Sequence, residues 1–308
     1  MMIASELKGC VDRGILARSA LVAVAMTILG IGLQVSTAIL LGFDAGPPGL
    51  GRIAGLTACY LLAGFAFALA FAALIVRLPG ASPVGKGIRY AALVVLAVWL
   101  SGSINFCAID FAGGWAPLSR AKLNNYWMDL IDGLNLLAGG LILGLTYRRR
   151  DSSSPAPSPS RELAQARPRG LASRIAAGAA LLPLLCFAFY SLASLLLPEG
   201  LDLSGQRRGI YDSYLFIPLA LSGAGTALLY DVLRRGNGPG LLAGSASTAL
   251  FVFAAYWVPN CLFILLFGFT WQILVDFLLA MAVSLFLAAA VLEAMSRRSQ
   301  LAPHGRHP

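Results

Sequence analysis

Two short stretches place a carboxylate after an aromatic residue at the start of a long apolar segment. In the first, Trp127 precedes Asp132 by five positions, and the apolar segment continues to Tyr147. In the second, Trp271 precedes Asp276 by the same spacing. An ionisable group inside a segment that crosses lipid is costly, so each Asp marks a candidate site for a proton, a cation or a polar solute.

Neutral polar side chains accompany these two carboxylates at helical spacing. Asp129, Asp132 and Asn135 follow one another at intervals of three and share one face of a helix. Gln272 and Asp276 are four positions apart and share a face in the same way. The candidate binding residues are Asp132, Asp276, Asn105, Asn260, Gln272, Asn135 and Asp129.

Each of these residues also has an interpretation without a ligand. Asp129 is predicted close to a helix start, where a carboxylate caps free backbone N–H groups. Asn105 and Asn260 fit hydrogen bonds between membrane helices. Asp132 and Asp276 are predicted beyond the first turn, with no Lys or Arg inside any predicted span. A functional and a structural role are both open for this pair.

The composition places these residues in a membrane protein. Of 308 residues, 58% are hydrophobic and 12% are charged, whereas soluble domains carry about 25% charged residues. Apolar runs of about 20 residues recur, and each is long enough to cross the hydrocarbon as a helix. The predicted fold class is all-α, a polytopic membrane helix bundle with about eight transmembrane helices. The predicted spans are 19–41, 53–76, 88–109, 129–147, 174–197, 213–233, 241–267 and 270–294.

Lys and Arg are distributed unevenly between the two sides of this predicted bundle. Most of the 23 basic residues fall on the side of the N-terminus. The basic residues on the other side are Arg52, Arg120, Lys122, Arg207 and Arg208. The positive-inside rule therefore predicts that both termini are cytoplasmic. Asp231 and Glu293 are predicted at the cytoplasmic helix ends as solvated pairs with the neighbouring Arg234 and Arg297. Frequent Arg, Ala and Gly with little Lys favour a bacterial inner-membrane protein.

A basic segment rich in Pro and Ser divides the chain. Residues 148–173 are predicted to form a flexible cytoplasmic linker. The linker separates a first membrane half, 1–147, from a second half, 174–296, and residues 297–308 form a cytoplasmic tail. Each half holds four predicted spans, so the halves would share one orientation, as parallel repeats of transporters do. An internal duplication and a chance resemblance are both open.

Other classes of protein fit the sequence poorly. The net charge is +9, but the basic residues flank apolar runs and form no basic face, so no nucleic-acid partner is expected. The first apolar run is too long for a cleavable signal peptide. The five cysteines have no CxxC or zinc-ligand spacing, and both histidines, His304 and His307, lie in the tail. We therefore expect no metal and no cofactor.

The predicted function is that of a small secondary transporter or permease. Asp132 and Asp276 would handle a proton, a cation or a small polar or cationic solute, and the lipid bilayer surrounds the protein. One open alternative is a membrane-embedded enzyme acting on a lipid or lipid-linked substrate. It is less favoured because no nucleophile, metal or acid/base pair stands out. The other is a non-catalytic membrane subunit or sensor, whose protein partners the sequence does not identify.

Overall fold

The computed structural model of the chain describes residues 13–40, 50–99, 120–148, 170–196, 216–234, 241–253 and 271–301. These residues are helical apart from the turns at 75–82 and 170, and no β-strand occurs among them. Their α-helices are α1 Arg13–Leu40, α2 Leu50–Leu74, α3 Pro83–Val94, α4 Arg120–Arg148, α5 Leu171–Leu196, α6 Phe216–Arg234, α7 Leu241–Val252 and α8 Trp271–Leu301. A π-helical turn, Val95–Trp99, continues α3.

Four segments of these helices are long and apolar enough to cross a membrane. They are Arg13–Thr37 in α1, Ile53–Leu74 in α2, Leu130–Tyr147 in α4 and Leu171–Phe189 in α5. Large apolar side chains on the outside of the bundle, such as Ile28, Ile39 and Leu184, are more than half exposed. Such a surface suits lipid better than water. The predicted all-helical class is confirmed and these segments support the membrane assignment, whereas the count of eight spans stays a prediction.

The helices pack in opposite directions along the bundle. Arg18, near the start of α1, lies over the ring of Tyr147 at the end of α4. Phe71, late in α2, contacts the same ring. In the second half, Arg174 at the start of α5 pairs with Asp231 near the end of α6. Since these helices also pack along their lengths, α1 is antiparallel to α2 and α4, and α5 is antiparallel to α6.

Glycines allow the closest approaches between helices. A Cβ built on Gly87 of α3 would lie 2.1 Å from the carbonyl oxygen of Gly140 in α4. A Cβ built on Gly223 of α6 would lie 2.0 Å from the carbonyl oxygen of Gly178 in α5. Small residues of this kind let two helix backbones touch, which is common in membrane helix pairs.

An aromatic core fills the space between α2, α3 and α4. The ring of Tyr90 is fully buried, with ring centroids 4.8 Å from Phe67 and 5.3 Å from Phe71. Its hydroxyl donates a hydrogen bond to the carbonyl oxygen of Phe67 at 2.7 Å. Phe71 in turn meets Tyr147 edge to face. These contacts fix the relative positions of the three helices.

The turn between α2 and α3 ends in an N-terminal cap. The hydroxyl oxygen of Ser82 accepts a hydrogen bond from the backbone N–H of Gly85 at 3.1 Å. Pro83 occupies the first turn of the helix, where its missing N–H has no intrahelical partner to lose. Gly80 reverses the chain with φ +138, a conformation that side chains disfavour. Local sequence therefore determines where α3 begins.

The two halves of the bundle meet where α6 packs against the π-helical turn. A Cβ on Gly225 would lie 2.6 Å from the Cα of Ala97, and the Ser222 hydroxyl donates to the Ala97 carbonyl oxygen. At one end of the bundle, Arg77 donates to the carbonyl oxygen of Leu233 at 2.9 Å. Backbone contact and hydrogen bonds thus join the first half to the second.

Helix α4 extends beyond the fourth predicted span, whose bounds of 129–147 agree with the candidate membrane segment Leu130–Tyr147. Helix α4 begins at Arg120, well before the predicted start at 129. Asp129 therefore lies in the helix interior, where backbone N–H groups already bond within the helix, and its predicted capping role is wrong. The apolar window of α4 does begin at Leu130. Hydrophobicity marks the part of a helix that crosses lipid, but backbone hydrogen bonding continues beyond that part.

Candidate functional site

Asp132 lies on α4 opposite polar side chains from two other helices. Its Oδ1 accepts a hydrogen bond from the Tyr60 hydroxyl of α2 and another, at 3.2 Å, from Gln34 Nε2 of α1. Gln34 Nε2 also donates to the Tyr60 hydroxyl oxygen. We call Gln34, Tyr60, Asp132 and Asn135 the Asp132 cluster. Three helices therefore supply the groups around one carboxylate.

Asn135 adds a buried amide one helical turn from Asp132. The residue is 3% exposed, and its Nδ2 donates to the carbonyl oxygen of Met26 in α1 at 3.0 Å. Because a carbonyl can only accept, this bond fixes which end of the amide is nitrogen. Its Oδ1 is buried and has no hydrogen-bond partner among the described residues. The Asp132 cluster therefore contains a hydrogen-bond acceptor, Asn135 Oδ1, that no described donor contacts.

Gly30 of α1 makes room for both Asn135 and Tyr60. A Cβ on Gly30 would lie 2.7 Å from Asn135 Nδ2 and 3.0 Å from the Cε1 atom of Tyr60. Any larger residue would push these side chains away from α1. The convergence of an amide and a phenol ring on one glycine shows that the four members of the Asp132 cluster occupy one contiguous region.

The basic side chains that the structure describes lie at the opposite end of the bundle from the Asp132 cluster. The Lys and Arg residues whose side chains the structure describes are Arg13, Arg18, Arg77, Lys86, Arg89, Arg174, Arg234 and Arg297. They lie at the starts of odd-numbered helices, at the ends of even-numbered ones and in the turn after α2, and we call this the basic end. Asp132 lies about 22 Å along α4 from Tyr147, which marks that end, at about 1.5 Å per residue. Within the described part of the chain, neutral donors alone hold the Asp132 carboxylate.

The carboxylates at the basic end are more buried than the sequence predicts. The Glu293 side chain is 8% exposed and pairs with Arg297 at 3.1 Å and with Arg234 at 3.7 Å. Asp231 pairs with Arg174 at 2.7 Å, and Arg174 is 4% exposed. The predicted pairing of Glu293 with Arg297 is confirmed, whereas the prediction that these carboxylates are solvated is wrong, since Glu293 is 8% and Asp231 13% exposed. Packing of α5 and α8 against α6 covers groups that lie at predicted helix ends.

The structure describes the side chains of only two predicted site residues, Asp132 and Asn135, and brings them together. Asp129, Gln272 and Asp276 lie within α4 or α8, but their side chains are outside the described part of the structure. Asn105 and Asn260 lie outside the described residues altogether. The predicted grouping of Asp132 with Asp276 therefore stays a prediction.

Gln34 and Tyr60 are members of the Asp132 cluster that sequence reasoning missed. A signal for each was present: Gln34 is an amide inside the first predicted span, and Tyr60 lies within the second, away from the interface where tyrosines usually sit. Neither has a spacing relation to Asp132, because the three residues lie on different helices. Sequence patterns along one helix cannot detect such a set.

Chemically, the Asp132 cluster provides oxygen ligands and hydrogen-bond donors. Among the described residues, no group of three or more His, Cys, Asp or Glu side chains converges as a metal site. A lone carboxylate held by neutral donors can exchange a proton or bind a cation, and such groups mark ion pathways in membrane proteins. The arrangement therefore offers one carboxylate and several neutral polar groups to a proton or a cation.

No protein-family model, curated protein or solved structure matches this chain. The residues and their geometry alone carry the functional argument.

Proposed function

We propose that this chain is a small secondary transporter of a cell membrane that moves a proton or small cation through Asp132. The observation that carries the proposal is a carboxylate in a lipid-crossing segment whose described partners, Tyr60 and Gln34, are both uncharged. A carboxylate held by an Arg would be neutralised by that residue. Asp132 instead remains available to a mobile positive charge.

The proposal includes a second, equivalent group in the other half. In each half, the first helix packs along the second, the third packs along the fourth, and the first also contacts the fourth. This shared pattern supports two parallel four-helix repeats in an eight-span bundle. The Trp-to-Asp spacing then makes Asp276 of α8 the counterpart of Asp132 in α4. We propose that both carboxylates take part in transport.

The proposed orientation places the basic end in the cytoplasm. The positive-inside rule relates clusters of Lys and Arg to the cytoplasmic face, and the described basic side chains share one end. The Asp132 cluster then faces the outer half of the membrane, and both termini are cytoplasmic. In a bacterium this would be the inner membrane.

Charge movement in reconstituted membranes tests the proposed function. Proteoliposomes on a solid support are exposed to jumps in pH, and separately to jumps in NaCl or KCl, while the current is recorded. We expect wild-type currents to one of these jumps, at least tenfold smaller currents in Asp132→Asn, and similar losses in Asp276→Asn. Thr27→Val is the matched control, because it removes a buried α1 hydroxyl that bonds only its own helix, at Ala23.

Two results would contradict the proposal. One is a wild-type protein that gives no current under any of these jumps. The other is an Asp132→Asn variant whose currents equal those of the wild type. Circular dichroism and gel filtration of each variant would show that lost current does not reflect lost folding.

A further inference from the structure

We infer that the Asp132 cluster is a binding site for one small monovalent metal cation, of which Na⁺ is the test case. The inference rests on the proposed function and names the class of ion that Asp132 handles. The cation would bind the Asp132 carboxylate and the Asn135 side-chain carbonyl oxygen, with Tyr60 and Gln34 holding the carboxylate.

The buried Oδ1 of Asn135 has no hydrogen-bond partner among the described residues. A buried carbonyl oxygen without a donor is unfavourable, because it loses its hydrogen bonds to water on burial. Nδ2 of this amide is committed to the Met26 carbonyl. Oδ1 is thus the atom of this amide that can bind a ligand. Asn135 also shares a helix face with Asp132, because the two residues are three positions apart. A bound cation would give this oxygen the partner that the described residues do not provide.

A metal cation and a proton would satisfy different groups of the Asp132 cluster. A proton on Asp132 neutralises the carboxylate but does nothing for Asn135 Oδ1. A metal cation contacts several oxygens at once and satisfies both groups. The Tyr60 hydroxyl donates to Asp132 and accepts from Gln34, so these two side chains hold the carboxylate in place beside the Asn135 amide. The oxygen set therefore fits a hard cation better than a proton alone.

The charge of the Asp132 carboxylate bears on the charge of the cation that it would bind. The Asp132 cluster carries one negative charge, and its other members are neutral. One monovalent cation makes the site neutral, whereas a divalent cation would leave an uncompensated charge at membrane depth, which is costly. The described hydrogen-bond partners of the carboxylate, Tyr60 and Gln34, add no charge. The charge of these groups therefore matches a monovalent ion.

Gly30 is the positioning residue of this site. Its missing side chain lets the Asn135 amide lie against α1 with Nδ2 toward Met26. Gly32, two residues further along α1, has nothing within 4 Å of an added Cβ. Gly30→Ala should therefore displace the amide and weaken cation binding, whereas Gly32→Ala should leave cation binding unchanged.

Cation-dependent stability of the purified full chain tests the inference. The unfolding temperature in detergent is measured with increasing NaCl, with choline chloride keeping the ionic strength constant, and then with LiCl and KCl. A ligand that binds only the folded state raises this temperature as its concentration exceeds the dissociation constant. We expect a saturable rise with at least one of the three metal ions in the wild type and in Thr27→Val. The rise should be lost in Asp132→Asn and at least halved in Asn135→Ala and Gly30→Ala.

Calorimetric titration of NaCl, LiCl and KCl into the wild type supplies a readout that does not depend on how well the variants fold. The inference is overturned if none of the three ions binds, or if Asp132→Asn keeps the full stabilisation. If no metal ion binds while pH-jump currents still require Asp132, the cation site is rejected and the transport proposal stands. If a metal ion binds through Asp132 while no jump gives a current, the transport proposal fails and the cation site stands.

Discussion

Tyr60 links the two ends of the hydrogen-bonded chain around Asp132. Its hydroxyl accepts from Gln34 and donates to the carboxylate, while its ring lies against Gly30. A phenol suits this position because its ring packs among apolar side chains and its hydroxyl reaches a polar partner. Removal of this hydroxyl should therefore lower the free energy of unfolding more than removal of a hydroxyl that bonds a backbone carbonyl.

Tyr60→Phe is expected to destabilise the protein by about 1.5–3 kcal/mol, the range for hydrogen bonds to charged groups. Tyr90→Phe is the matched control, because its buried hydroxyl donates to a backbone carbonyl, and it should cost about 0.5–1.5 kcal/mol. The free energy of unfolding is measured by SDS titration in mixed micelles.

A double-mutant cycle tests whether the larger destabilisation expected for Tyr60→Phe arises from its contact with Asp132. In an Asp132→Asn background, Tyr60→Phe should cost at least about 0.5 kcal/mol less than in the wild type, because contacting residues are energetically coupled. The cost of Tyr90→Phe should be the same in both backgrounds. Additive behaviour of Tyr60→Phe and Asp132→Asn would show that the hydroxyl and the carboxylate do not interact in the folded protein.

At the scale of the helices, backbone contact between glycines replaces large side chains at two interfaces. The α3–α4 pair meets through Gly87 and Gly140, and the α5–α6 pair meets through Gly178 and Gly223. Lipid provides little hydrophobic force to join helices, so close packing must supply the stabilisation. The α3–α4 interface also positions the Asp132 cluster, because α4 carries Asp132 and Asn135.

Gly87→Ala and Gly223→Ala are each expected to destabilise the protein by about 1–3 kcal/mol, the usual range for overpacking, or by more. In both cases the new methyl group would overlap a backbone carbonyl that cannot move independently of its helix. Gly32→Ala is the control and should be neutral or stabilise by up to about 1 kcal/mol, since alanine favours helix. Unfolding in mixed micelles measures all three variants, and equal stabilities would contradict the packing described for these interfaces.

At the scale of the whole molecule, the described charged side chains are distributed unevenly between the two ends of the bundle. The described basic side chains share one end with the carboxylates Asp231 and Glu293, and the Asp132 cluster lies toward the other end. The proposed orientation places the basic end at the cytoplasmic face, in accordance with the positive-inside rule. The orientation is therefore open to a direct chemical test.

Introduced cysteines are expected to react from opposite sides of the membrane. Ser82, in the exposed turn at the basic end, and Trp127, which is 37% exposed toward the other end, are each replaced by Cys after the five native cysteines are changed to Ala. A membrane-impermeant maleimide should label Ser82→Cys in inside-out vesicles and Trp127→Cys in intact cells. Labelling of both positions from the same side would contradict the proposed topology.

The helix boundaries illustrate which predictions depend on local sequence. The start of α3 follows from Ser82 and Pro83, whose side chains act within one turn. The sequence does not predict the start of α4 at Arg120, because Arg120, Lys122 and Asp129 interrupt the apolar pattern before Leu130, and charged residues do not end a helix outside the hydrocarbon. Burial of Glu293 was also missed, because it depends on helices that approach from elsewhere in the chain.

The sequence by itself determined that this chain forms apolar helices, because lipid forces each segment to satisfy its own backbone hydrogen bonds. It also singled out Asp132 and Asn135, since an ionisable or amide group in an apolar run is visible without a fold. Only the tertiary structure joined Asp132 to Tyr60 and Gln34, which precede it by 72 and 98 positions. Those contacts depend on how three helices pack, and helix packing is set by side-chain shape over the whole interface and not by any local pattern.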